Sequence, residues 1–495
     1  MLFNSQIFIF VFLPVTLIGW YVLNKFKQYK LSLVFLIGMS LWFYGYFNPS
    51  YLIILVSSLL VNYSVSFLIE RFSKHAKSIY ILGLLFNLLL LGYFKYYDFF
   101  IENINFVFKS SFALKHILLP LGISFFTLQQ ISYITDRYWN SAPHYNIIEY
   151  AAYVTYFPQL IAGPIVLHSE IVPQYRDLSL RKFNKENFRN GLTLFILGLA
   201  KKVIIADTVA LVVNYGFDRI YWIDTPSAWL VALGYTFELY FDFSGYCDMA
   251  VGLGRMFNFE LPNNFDSPYK SHSIPEYWNR WHATLNRFFR YYIYNPIMLK
   301  GIRKGKKKQY LIIAPMVVFF ISGFWHGASW TFVIWGILQG FGMLWCQRSH
   351  LKTPKSWRFI PWFFTFIFTV ITQAIFRSET IDNMVRILKG MFTFTYTGFM
   401  RELATGLDND ILVKGAMRII QTHVSIEMLY WLYFAILLVL YIICALILRG
   451  KNAPSIVTKE QNKGYTVGFT CFLALILAWS VISLSQVSTF LYFNF

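Results

Sequence analysis

Apolar runs of bilayer-spanning length follow one another along this chain, and that succession leaves few folds open to it. They cover residues 6–23, 31–47, 51–69, 79–97, 114–134, 147–167, 188–213 and 228–256, then 311–345, 360–375, 429–448 and 465–484. A membrane helix needs about 20 predominantly apolar residues, roughly 17–25. The pattern predicts an all-α polytopic membrane protein with about 11–13 transmembrane or re-entrant helices. No tandem repeat or low-complexity tract interrupts it, so residues 1–495 read as a single membrane domain. Composition agrees. Charged residues make up 14% of the chain against 57% hydrophobic, where a soluble domain carries about 25% charged residues. Much of the surface therefore faces something other than water.

Charge placement sets the topology. The net charge of +19 is gathered in short loops between apolar runs, the pattern of cytoplasmic loops beside anionic membrane lipid and not of a nucleic-acid-binding surface. Lys25, Lys27 and Lys30 follow the first run, and no basic region or small-residue cleavage site marks that run as a signal peptide. The positive-inside rule then places the amino terminus outside, with Arg71, Lys74 and Lys77 inside and the cluster Arg303-Lys304-Gly305-Lys306-Lys307-Lys308 cytoplasmic. Arg176, Arg181, Lys182 and Lys185 also belong inside. A re-entrant segment near 157–166, broken at Pro158 and Gly163-Pro164, reconciles them with alternation. Cys247, Cys346, Cys444 and Cys471 are scattered, with no CxxC pair, disulfide framework or metal site indicated.

Three clusters have the residues for chemistry. Ser273-Ile274-Pro275-Glu276 reads as a capping box with proline in the first turn. Beyond it Trp278, Trp281, Leu285, Phe288 and Tyr292 recur at helical spacing, and His282 falls on that apolar face. A buried histidine satisfied by a carbonyl is the structural alternative to a functional one. His326 lies within 311–345, a run without Asp, Glu, Lys or Arg, too long for one upright span and short for two. A break is expected near Gly323-Phe324-Trp325-His326-Gly327-Ala328-Ser329. An ionisable group at membrane depth is costly, and neutral imidazole suits a general base; a helix–helix hydrogen bond is the alternative. Glu238, Asp242, Asp248 and Arg255 fall in a further apolar segment that Ser244-Gly245 interrupts, and must pair or line a wet cavity. No GxxxxGK[ST], HExxH or GxSxG motif is present.

Together these stretches resemble the membrane-bound O-acyltransferase family, in particular its bacterial branch with the alginate and peptidoglycan O-acetylation membrane subunits. The likeness is carried by LPLGISFFTLQQISYITD at 119–136, YFPQLIAGPIVLHSEIVPQ at 156–174 and GLAKKVIIAD at 198–207. It continues through YFDFSGYCDMAVGLGRMFNFELPNNFDSPYKSHSIPEYWNRWH at 240–282, SGFWHGASWTFVIWG at 322–336, and the terminal MLFNS and FLYFNF. The resemblance implies helices around a central tunnel, with acetyl-CoA as cytoplasmic acyl donor and no metal. In it His326 matches the catalytic histidine and His282 the second active-site histidine. Arg290 matches an arginine that follows, and Arg290, Trp325, Trp281 and Asp242 are expected to line the tunnel or substrate path. Tyr492, in the aromatic tail, matches a residue implicated as an acyl carrier; an interfacial anchor is its alternative role. The branch passes acyl groups to an extracytoplasmic transferase partner of the SGNH type, which modifies an exported polysaccharide or peptidoglycan. Departures lie beside the histidines: Arg290-Tyr291-Tyr292 replaces Arg-Asp-Tyr, Asn286 stands for serine, and Met298-Leu299-Lys300 replaces Gly-Gly. Two other readings are D-alanyl transfer to teichoic acid and, in a different class, a polysaccharide or lipid transporter.

Overall fold

Regular structure among the described residues is entirely helical, as lipid requires of segments that must satisfy their own backbone groups. The structure is a computed structural model, and it describes residues 1–348, 357–484 and 490–491. Six described helices are long and apolar enough to cross a membrane: Phe8–Lys25, Ser50–Arg71, Ser73–Phe108, Lys307–His326, Phe359–Arg377 and Ile426–Arg449. They leave rows of large apolar side chains exposed, among them Phe10, Ile18, Ile53, Leu82, Leu89, Val439 and Ile442. In water such rows would be costly; in lipid they are the expected outer surface. The remaining apolar runs are shorter, broken or charged. Tyr29–Gly45 and Val467–Ser483 have 17 residues each. The run at 114–134 is helical only from Ile123 to Tyr138, because Pro120 and Gly122 hold a turn ahead of it. The 147–167 run breaks at Tyr156 into Ile147–Thr155 and Phe157–Leu160, with the buried chain beyond lacking helix.

The chain divides into two compact units. One comprises 1–196 and 246–263. Its helices Ser50–Arg71, Ala76–Leu91 and Ile123–Tyr138 are joined by buried amides: Asn62 and Asn87 exchange hydrogen bonds of 3.2 and 2.6 Å, and Gln130 donates to Ser58 Oγ at 3.0 Å. Such pairs link helices where lipid offers no hydrophobic driving force between them.

The other unit comprises 197–245 and 264–491, and holds the expected site. The 311–345 run resolves into a hairpin, Lys307–His326 and Trp330–Arg348, turning over Gly327, Ala328 and Ser329. The break falls where it was expected. The two helices touch backbone to backbone: a Cβ on Gly323 would lie 2.3 Å from the Phe332 carbonyl oxygen, and one on Gly336 2.3 Å from that of Phe319. Gly323→Ala is expected to force the helices apart at a cost of about 1–3 kcal/mol. Its thermal midpoint in detergent should drop, while Gly38→Ala, whose Cβ meets nothing within 4 Å, should not lower it. An unchanged midpoint in the first variant would refute the close contact.

Candidate active site

Trp278, Trp281, Leu285 and Phe288 do not lie on one continuous helix. The chain forms two seven-residue helices, Ile274–Arg280 and Ala283–Phe289. Between them Trp281 is extended and His282 sits in the left-handed region at φ 45°, ψ 48°. A non-glycine residue there is costly and is kept only when its surroundings enforce it. The start is also modified: Ser273 Oγ accepts from Glu276 N–H at 3.3 Å as expected, but Glu276 Oε2 accepts from His272 N–H, not from that of Ser273.

Asn264 enforces the break. Its main-chain oxygen accepts from Ala283 N–H at 3.0 Å. Its side-chain Oδ1 accepts from Thr284 N–H at 3.2 Å and Thr284 Oγ1 at 2.9 Å, replacing a helix cap. The same atom lies 3.0 Å from His282 Nδ1. A backbone N–H can only donate, so the amide atom facing it must be oxygen. That oxygen accepts from the imidazole as well, so Nδ1 carries the proton and Nε2 the lone pair. Burial pushes the His282 imidazole down to about 3, keeping it neutral at working pH.

His326 ends the Lys307–His326 helix, 4% exposed. Rings enclose it: Trp325 at 4.9 Å, Phe376 at 5.2 Å and Trp335 at 5.3 Å, centroid to centroid. Trp325 also faces His282 at 6.4 Å, so one indole lies against both histidines. Phe243 closes the other side of His282 at 4.8 Å. Low dielectric around such a pair strengthens any charge or hydrogen bond formed during reaction.

The other expected residues take different places. Trp281 is a core ring, stacked on Tyr277 and edge-on to Phe265 and Tyr269. Arg290 is exposed and lines an open cleft of about 670 Å³ of empty space, with Asn279, Asn286, Tyr294 and Gln347 around it. Trp278 lines the same cleft, donates to Gln339 Oε1 at 3.1 Å and packs edge-on to Trp335. Two rings, Trp278 and Trp335, thus connect the cleft to His326. Asp242 is buried and paired with Lys202 at 2.6 Å. The Thr225–Met256 helix runs unbroken through Ser244-Gly245, in keeping with the single 228–256 span expected. Gly245 allows close approach: a Cβ there would lie 2.7 Å from the Gly198 carbonyl oxygen. Tyr492 lies outside the described residues. Asn264, Trp335, Phe376 and Gln339 were not expected from sequence. Asn264 falls within the 240–282 stretch and Trp335 within the 322–336 stretch that carry the family resemblance, the advance signals for those two.

The hairpin and the broken helix pair thus bring two buried histidines against one indole in a polytopic helical protein. The membrane-bound O-acyltransferase family profile matches residues 140–378. The chain is 38% identical to the peptidoglycan O-acetyltransferase of Helicobacter pylori, over all of this chain and 98% of that one. It is 39% identical to the probable alginate O-acetylase AlgI of Pseudomonas putida over 80% of this chain and 81% of the relative. A teichoic acid D-alanyltransferase of Streptococcus thermophilus is more distant, at 25% over 48% of this chain and 58% of its own length. The chain belongs to the membrane-bound O-acyltransferase family, and is a multi-pass membrane acyltransferase of its bacterial branch.

Proposed function

We propose that this enzyme takes an acetyl group from acetyl-CoA at the cytoplasmic face and delivers it across the membrane for O-acetylation of an exported polymer, with His326 as general base. The observation that carries the reading is the buried His326 in its aromatic cage, sharing Trp325 with His282. In the first step an acceptor hydroxyl attacks the thioester carbonyl. The C–O bond forms, the C–S bond breaks, and the hydroxyl proton passes by way of His326 to the departing thiolate. Neutral His282, its lone pair on Nε2, accepts a hydrogen bond from the acceptor or a bound water and orients it. The cleft beside Arg290 is the donor's entrance: the guanidinium suits a phosphate, and the apolar floor at Trp278 and Phe319 suits the pantetheine arm.

Tyr492 serves as the first acceptor in this reading. Its phenol is a weak nucleophile until a base takes its proton, and its acetyl ester then passes to a hydroxyl on an SGNH-type extracytoplasmic partner or the polymer. Peptidoglycan is the polymer favoured, since similarity to a peptidoglycan O-acetyltransferase extends over nearly the full length of both chains. Membrane vesicles exposing the cytoplasmic face, given acetyl-labelled acetyl-CoA, should load labelled ester onto the protein. Label that instead requires an aminoacylated carrier protein would overturn the acetyl reading in favour of D-alanyl transfer.

A further inference from the structure

Asp242, expected to line a substrate path, contacts the chain's own tail. Lys202, in the π-helical turn Lys201–Ala206, places its ammonium 2.6 Å from Asp242 and 2.8 Å from Asp207, with its side chain buried. The second carboxylate oxygen of Asp242 accepts from the main-chain N–H of Leu491 at 3.0 Å. Phe490 is buried, and the Lys202 ammonium lies 4.8 Å from its ring centroid. Buried charges of this kind must be closely paired to be retained. Here part of the pairing comes from a segment that arrives 249 residues after Asp242 in sequence.

We propose that Asp242 and Lys202 form a docking site for the aromatic carboxy-terminal segment at Phe490 and Leu491, and that acetyl transfer requires this docking. The inference rests on the carrier role assigned to Tyr492 above. The recognition is specific in a particular way. Asp242 reads a backbone N–H, so the side chain at 491 is free to vary but proline is not allowed. Lys202 reads a π face, so position 490 must be aromatic. Both groups act on the tail and not on the reacting atoms, so they are positioning residues.

The test uses the full chain in detergent or nanodiscs, measuring hydrogen exchange in the carboxy-terminal peptide alongside polymer acetylation. Leu491→Pro and Asp242→Asn should each speed tail exchange about tenfold or more, and acetylation should fall at least as far. Gly38→Ala, whose Cβ meets nothing within 4 Å, should stay close to wild type in both. Leu491→Pro alters only the tail, so it remains informative if Asp242→Asn misfolds. Unchanged exchange in Leu491→Pro would overturn the docking site. Faster exchange with full acetylation would overturn its role in positioning. Tyr492→Phe separates the two readings: a protected tail without acetylation supports both. Full acetylation in Tyr492→Phe overturns the carrier role, whatever the anchor variants do.

Discussion

Replacing His326 by alanine is expected to abolish acetyl ester on the exported polymer while the protein is still found in the membrane. A positioned general base contributes about 10²–10⁴ to a proton-transfer step. Trp325, Trp335 and Phe376, the rings that enclose His326, carry no base that could take over the proton. Removing the ring also empties a packed site, at about 3–5 kcal/mol for a large aromatic truncated to alanine. Low abundance could then be mistaken for lost catalysis. His326→Gln settles the question, because it keeps most of the volume and a hydrogen-bonding side chain but cannot act as a base. Both variants should lose at least a hundredfold in acetylation per molecule of membrane protein, measured as ester released by mild alkali from purified polymer. Acetylation retained by His326→Gln would remove His326 from the chemistry and leave it as a packing residue.

The membrane character, the break between Gly323 and Ser329 and the burial of His282 and His326 were all legible in the sequence, because each depends on local composition. A run of 35 residues without charge must fold back, and glycine marks where. The break at His282 was hidden for a physical reason. Two short helices separated by one extended and one left-handed residue keep Trp278, Leu285 and Phe288 on buried faces, so the periodicity survives the interruption. What breaks the helix is Asn264, 18 residues upstream, and no local pattern reports a partner at that distance. Asp242 shows the same limit. Its spacing from Glu238 is visible in the sequence, but its real partners, Lys202 and the Leu491 N–H, come from elsewhere in the chain. Ser244-Gly245 interrupts the apolar run without breaking the helix, and Gly245 is a point of close helix approach. Glycine can mark a break or a close approach, and only the neighbouring backbone decides which.

Asn264 accordingly carries the second large effect. In Asn264→Ala, His282 Nδ1–H, Thr284 N–H and Thr284 Oγ1 lose their shared acceptor. A buried donor left without a partner costs about 1–3 kcal/mol, and the imidazole is no longer held with its lone pair on Nε2. Acetyl transfer should fall about a hundredfold, as expected when a catalytic group's orientation is lost, with a lower thermal midpoint. Asn264→Asp keeps an acceptor for all three donors and should recover much of both. It also changes the response to acid, in a direction fixed by linkage. In the wild type, burial holds His282 near 3 against an ordinary value of 6.5. Between those values the unfolded chain binds a proton that the folded one refuses, so stability is lost as pH falls from about 6.5. A carboxylate at position 264 favours the imidazolium and should make that loss shallower. Thermal midpoints at pH 7.5, 6.5 and 5.5, on the order of one unit apart across this window, distinguish the cases. If Asn264→Asp is as inactive as Asn264→Ala despite a recovered midpoint, the tautomer of His282 does not control transfer, and Asn264 serves only to shape the break.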